Sequence, residues 1–265
     1  IGEPVGRDRD PCVALATALV KRRDPEATMI LLPADHLIHP VRAFQEVLAA
    51  AAEQAAVGAL VTLGVKPTYP ATGYGYIHVG KELAPGFHRA RGFREKPDLK
   101  KAEAFLRDGS YLWNSGMFIW RVDAIEEAFR THCPELADRI EQWIQNPEFE
   151  ESFASCPKIS IDYAVMEKAS HVVVGKAAFE WNDIGGWSAL RAILPTDENG
   201  NAFRGNVATL DAKNNVLIGD CDHMLGIVGV ENLAVIQSGN GTIVCPLSEE
   251  QRIKELVQKI NSDYQ

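Results

Sequence analysis

The chain has 265 residues, 46% of them apolar, and a net charge of −9. This length allows one large domain or a domain with a smaller appendage, and the apolar content excludes wholesale disorder. The negative balance excludes a general nucleic-acid surface, which needs clustered Lys and Arg, so an anionic ligand would require a metal or a local basic strip.

Cys12, Cys133, Cys156, Cys221 and Cys245 make an odd set with no metal or redox spacing, which points to a reduced, cytoplasmic setting. No apolar run is long enough to span a bilayer, and the opening IGEPVGRDRDP holds no signal-peptide core. The chain starts on Ile1 rather than Met, and upstream sequence is expected.

In chain order, residues 11–23 predict a helix with Pro11 in its first turn and Asp10 as N-cap. Met29–Leu32 is a short apolar run that suits a strand covered on both faces. Val41, Phe44, Leu48, Ala51 and Ala55 recur at helical spacing, and Gly58 stops that helix. Residues 59–63 make the next strand. This alternation marks βαβ winding. Strands are then predicted over 74–79 and 87–94, a helix from Asp98 to a stop at Gly109, and a buried strand over 116–120. Residues 122–145 read as helical with a break at Pro134. A helix over 162–169, a strand over 171–174 and a helix over 187–194 follow.

Beyond Pro195 the texture changes. PTDENGN is a turn-rich linker, followed by short apolar runs between Gly, Asn and Asp clusters. They fall at 207–210, 216–218, 225–230, 233–236 and 242–245. The boundaries expected are residues 1–195 for the first domain and 202–265 for a small β domain. A final helix is predicted from a Ser248/Gln251 capping box, with Ile253, Leu256, Val257 and Ile260 as its buried stripe.

Two carboxylates stand out. Asp35 follows the strand of MILLPADH, where Pro33 ends the ladder, and open α/β sheets bind ligands outside such strand ends. Asp183 sits in EWNDIGGW before two glycines that permit a tight turn and close approach. Two hard carboxylate oxygens suit a Mg²⁺ ion beside phosphates. Capping is the plain alternative for Asp35.

LLPADH, TGYGYI, EKPD, YLWNSGMFIW, SIDYAVMEK and WNDIGGW occur in this order. As an ordered set they closely resemble the mannose-1-phosphate guanylyltransferases, in their monofunctional bacterial form. The resemblance implies an α/β fold, a Rossmann-like nucleotidyltransferase with a mixed, mainly parallel sheet flanked by helices, plus a small C-terminal β domain and terminal helix. It implies that GTP and mannose 1-phosphate give GDP-mannose and pyrophosphate by in-line attack, with positioning and charge neutralisation as the main catalytic terms. Asp35 and Asp183 would hold the catalytic Mg²⁺.

The resemblance also assigns the sugar end. Tyr74 and Gly75 would bring backbone amides to the hexose; an ordinary Gly-rich turn is the alternative. Glu95 would accept from sugar hydroxyls and Lys96 contact the phosphate. That requires the strand to bend, for which Pro97 is the candidate, and a surface ion pair is the alternative. Asn114 would bind hydroxyls, or be a turn residue between strands. Asp162 would be a ligand or a helix cap. Trp113 and Trp120 read as core, and Arg89 and Arg91 as a solvated face. At the base end Glu3 would read guanine N1–H and N2–H₂, and Arg7 and Asp8 belong to the same motif; a solvated chain-end Glu is the alternative.

Two features depart from the family pattern. Asp8-Arg9-Asp10-Pro11 stands where the family has Asn or Asp followed by Thr-Ala-Pro, and the extra charge leaves nucleotide choice open. The family's first strand and Gly-rich phosphate loop have no counterpart in these residues, so weak turnover or none is expected of this chain as given. Three readings follow: the enzyme, a non-catalytic sugar-nucleotide-binding regulatory subunit, and a transferase for another hexose 1-phosphate. A homodimer through the apolar surface of the tail is compatible with each.

Overall fold

A computed structural model describes residues 2–7, 9–146 and 148–260; Asp8 lies outside them. The chain divides into two compact units. One holds Ile1–Ala34 and Ile38–Trp181, the other Asp35–Leu37 and Asn182–Gln265.

The first unit is built on a six-stranded sheet in the order β1-β6-β3-β7-β5-β4. Its strands are β1 (Thr28–Leu31), β3 (Leu60–Val65), β4 (Tyr76–Ala84), β5 (Phe87–Arg94), β6 (Tyr111–Arg121) and β7 (Val172–Lys176). The expected mixed sheet is present. β1, β3, β4 and β7 point one way, but β6 is inserted between β1 and β3, so the directly parallel pair in this sheet is β3–β7. Two further segments form a separate ladder, β2 (Leu37–His39) with β8 (Glu180–Asn182), neither of which the sequence pattern reveals.

Alternation along the strands sends side chains to opposite faces. Leu60, Phe118, Trp120, Val172 and Val174 join one core with α1 (Arg9–Arg23), α4 (Val122–His132) and α5 (Pro134–Gln145). Val61, Leu63, Met117, Ile119 and Val173 join the other with α2 (Val41–Ala56). This two-sided cover explains the unbroken apolar run of β3; β1 lies at the sheet edge with Ile30 45% exposed, so the expected cover on both faces is absent there. Trp120 and Trp113 are buried, as expected of core residues. α3 (Leu99–Asp108) starts where Asp98 accepts from Lys101 N at 2.9 Å and stops at Gly109, φ +75°. α6 (Glu150–Ala154) is a short helix beyond α5.

Several local expectations fail for identifiable reasons. α1 begins at Arg9, so Asp10 lies in its first turn and is buried, not at the cap. Asn114 is not a turn residue: β6 starts at Tyr111 and carries it mid-strand. Asp162 opens a π-helix, Asp162–Met166, and its carboxylate accepts from Asn114 across the fold instead of capping.

The second unit continues with β9 (Ala202–Arg204), β10 (Asn206–Leu210), β11 (Val216–Ile218), β12 (Met224–Val228), β13 (Leu233–Ser238) and β14 (Gly241–Pro246). β9, β11 and β13 pair in parallel, as do β10 and β12, and β13–β14 is antiparallel. This is a parallel coil rather than a set of hairpins. Buried Asn201 and Asn215 link successive turns: Asn215 Nδ2 donates to Asn201 Oδ1 at 2.8 Å, Asn201 Nδ2 to Ala212 O at 2.9 Å, and Leu233 N to Asn215 Oδ1 at 2.9 Å. The Ser248/Gln251 capping box is not formed. Leu247–Arg252 is a 3-10 helix, and α7 (Ile253–Val257) follows with no buried residue; Leu256 is 45% exposed.

Candidate active site

β6 changes partner along its length, and that is what makes a site. Tyr111–Trp113 pair with β4, and Phe118–Arg121 pair with β1 on the same side. Between them β4 and β1 leave a gap opposite Ser115–Met117, bordered by Asn114. β3 runs along the other side, with its register broken between Thr62 and Gly64. Gly116 has φ +70°, which favours glycine.

Asn114 is the hub of this gap. Its amide Nδ2 donates to Asp162 Oδ1 at 2.7 Å. Its Oδ1 accepts from Thr62 Oγ1 at 3.3 Å and from Gly116 N at 3.2 Å, while its backbone N–H donates to Gly75 O at 2.8 Å. Thr62 also donates to Met117 O at 3.1 Å and is wholly buried. These contacts fix the amide orientation, so its carbonyl and amino ends are not interchangeable.

Gly75 completes the floor. A β-carbon there would lie 2.7 Å from Glu95 Oε2 and 3.4 Å from Asn114 Cβ. Glu95 and Asn114, both expected at the sugar end, therefore converge on the backbone that the missing side chain leaves open. Tyr74 stacks edge-on with Trp113 and Trp181, at 5.1 and 5.3 Å between ring centroids. The strand bend falls at Lys96 itself, φ +38°, one residue before Pro97. It brings Lys96 Nζ to 3.2 Å from Glu95 Oε1, with the ammonium mostly in solvent and the carboxylate mostly covered.

Glu167 is a residue the sequence pattern did not single out. Burial raises its carboxyl above the usual range, and the nearby Asp162 and Glu95 charges raise it further while Arg94 opposes them. Glu95, Asp162 and Glu167 thus share one electrostatic neighbourhood drawn from two segments, the end of β5 and the π-helix with its C-cap. The π-helix brings Asp162 and Glu167 together, and the fold brings Glu95 to them.

Near the start of α1, a pocket of about 170 Å³ is lined by Cys12, Val13, Leu32, Pro33, Gly116 and Ile161. Burial and then the Glu3 charge push the Cys12 thiol up, which puts Glu3 within electrostatic reach of this pocket. Arg7 donates to the Ala154 carbonyl, and this tie anchors the segment that carries Glu3.

Asp35 precedes β2 and Asp183 follows β8, the two strands of the small ladder. Asp35 is exposed. Asp183 Oδ1 accepts from Gly185 N at 3.1 Å, and Ile184 between them has φ +48°. A β-carbon on Gly185 would stand 2.8 Å from Asp183 Oδ2, so glycine lets the turn pass this close to the carboxylate. Hard carboxylate oxygens are the donors that a Mg²⁺ ion with few protein ligands takes, so the chemistry of Asp35 and Asp183 fits one. Among the described residues no group of three or more His, Cys, Asp or Glu side chains is arranged to hold a metal. Among them, too, no helix is long and apolar enough to cross a membrane.

The chain belongs to the nucleotidyl transferase family, whose model matches residues 1–200. A second model, described as a MannoseP isomerase/GMP-like beta-helix domain, matches residues 205–260 and agrees with the parallel coil seen there. More particularly, the chain is similar to mannose-1-phosphate guanylyltransferases. One of Sinorhizobium fredii is 36% identical over 98% of this chain and 52% of its own length. The xanthan biosynthesis protein XanB of Xanthomonas campestris is 39% identical over 98% of this chain and 56% of its own. A crystal structure from Thermus thermophilus, described as a mannose-1-phosphate geranyltransferase, is 35% identical with a TM-score of 0.91, over 98% of this chain and 77% of that one. The chain spans about half the length of the curated relatives it matches.

Proposed function

We propose that this chain carries the transferase activity that makes GDP-mannose and pyrophosphate from GTP and mannose 1-phosphate. The observation that carries the reading is the convergence of Gly75, Glu95, Asn114 and Asp162 at the gap beside β6. A bare backbone position, an amide and two carboxylates supply the mixed donors and acceptors that hexose hydroxyls require.

On this reading Glu95 and Asn114 hold the sugar hydroxyls, and Asp162 orients the Asn114 amide. Tyr74 walls the sugar side through its aromatic contacts. Lys96 exchanges its Glu95 partner for the sugar phosphate. A phosphate oxygen of mannose 1-phosphate then attacks the α-phosphorus of GTP in line; that P–O bond forms as the α–β bridge breaks, and pyrophosphate leaves. Glu3 reads the guanine edge beside the pocket at Cys12 and Pro33, and Arg7 steadies Glu3 through its tie to Ala154. Asp35 and Asp183 would hold Mg²⁺, which neutralises phosphate charge when bound.

A pyrophosphate-release assay tests this, with mannose 1-phosphate, Mg²⁺ and either GTP, ATP, UTP or dTTP. Preference for GTP is expected. Preference for UTP or dTTP would remove the guanine assignment, and calorimetric binding of GDP-mannose without turnover would favour the regulatory reading. Exposed Leu210, Met224 and Val228 on β10 and β12 support a homodimer; light scattering giving a monomer mass would remove it.

A further inference from the structure

We infer that Glu250 and Gln251 of the C-terminal unit are positioning residues that set the metal affinity of the Asp183 turn. The inference rests on the reading of Asp183 as a metal ligand. It starts from the capping box that the structure does not form. Gln251 does not cap its own helix; its Nε2 donates to the Gly185 carbonyl at 3.2 Å. Glu250 reaches the other side of the same turn. Its carboxylate lies over Gly186, so closely that a β-carbon there would collide with it. That carboxylate accepts from Ser188 N at 2.8 Å and from Ser188 Oγ at 2.6 Å.

These contacts brace Asp183 from its downstream side. Gly185 O and Ser188 N are both tied to one 3-10 helix, Leu247–Arg252. Packing supports the turn less. A cavity of about 290 Å³ lies against it, lined among others by Ile184, Gly186, Trp187, Leu190 and Ile253. With open volume on that side and Ile184 at φ +48°, the turn depends on hydrogen bonds for its shape. Partners that orient a metal ligand typically carry about 10- to 100-fold in metal affinity. Glu250 and Gln251 fill that role from far along the chain, 62 positions beyond Ser188 and 66 beyond Gly185.

The test is Mn²⁺ titration, followed by electron paramagnetic resonance, into the whole chain with GDP-mannose bound. Wild type, Asp183→Ala and the double variant Glu250→Ala/Gln251→Ala are compared. The double variant is expected to bind Mn²⁺ about tenfold more weakly, with its thermal midpoint unchanged. Its turnover should recover at saturating Mg²⁺, whereas a purely structural defect would lower the rate at every Mg²⁺ concentration. Wild-type Mn²⁺ affinity in the double variant, with binding abolished in Asp183→Ala, overturns this inference alone. Undiminished binding in Asp183→Ala removes the metal reading beneath it. Should the double variant not fold, Gln251→Ala alone removes one exposed donor and carries the same test; unaltered affinity there overturns the inference.

Discussion

The gap beside β6 and the turn after Asp183 are ordered by different means. Asp162 is buried and Asn114 half-buried, joined to each other and to Thr62 by hydrogen bonds between elements that also make the core. Asp183 sits on a turn held by its own backbone, two glycines and contacts from a 3-10 helix. One region takes its order from the sheet. The other takes it from loop chemistry that can be altered without touching the core. Function and stability should therefore be coupled in the first and separable in the second.

Substitution at the two centres would show whether this contrast is real. Asn114→Ala should lower kcat/KM by about a hundredfold or more, a magnitude taken from the loss of one fixed polar contact to the reacting complex. It should also cost roughly 1–3 kcal/mol of stability, because buried Asp162 loses its Nδ2 donor. Pyrophosphate release and urea unfolding measure the two. Asp183→Asn should lower turnover as severely yet shift stability by no more than an ordinary surface change, about 0.5 kcal/mol. Equal stability losses in both variants would erase the distinction.

A more modest change is expected within the sheet-ordered region. Gly75→Ala puts a methyl 2.7 Å from Glu95 Oε2. The carboxylate must move, so KM for mannose 1-phosphate should rise about tenfold, in line with the loss of one charge-assisted hydrogen bond, with KM for GTP unchanged. Initial-rate kinetics with each substrate varied will show whether the change is confined to the sugar.

The slightest change concerns pH. The Glu167 carboxyl is raised in the fold, chiefly by burial. The native state then keeps a proton that the unfolded chain has released once pH passes the ordinary glutamate value. Stability contributed by this group falls with rising pH between that value and the raised one, and is level on either side. Glu167→Gln should flatten that slope in denaturant titrations run across the window.

Much of the fold is legible from residues alone. The strand at Leu60–Leu63 announces itself as an apolar run because the sheet is covered on both faces there, and Asp98 and Gly109 mark α3 through their own backbone preferences; Met29–Leu31 reads the same way, yet it is an edge strand with Ile30 45% exposed. Asn114 reads as a turn residue because the Trp-Asn-Ser-Gly composition looks like a loop. It belongs to a strand because β3 and β4 pair with its flanking residues, and no local signal encodes that pairing. β2 and β8 are three residues each, too short for any periodicity. The capping box is chemically sound, yet Gln251 finds its acceptor in Gly185. Of the candidate site, ordered motifs nominate most residues, whereas Thr62 and Glu250 stay hidden, since their contacts exist only after distant segments meet.

The change of partner along β6 has a consequence for local motion. Where β6 is paired on both sides and flanked by core layers it opens only when the domain does, so the amides of Phe118 and Ile119 should exchange with deuterium at the slow rate of global unfolding. Amides around Gly185 have no such enclosure and should exchange through small, frequent openings. On the proposed reading, the sugar side would be rigid on the lifetime of the native state, while the Asp183 turn adapts within the hold of Glu250 and Gln251 at each turnover.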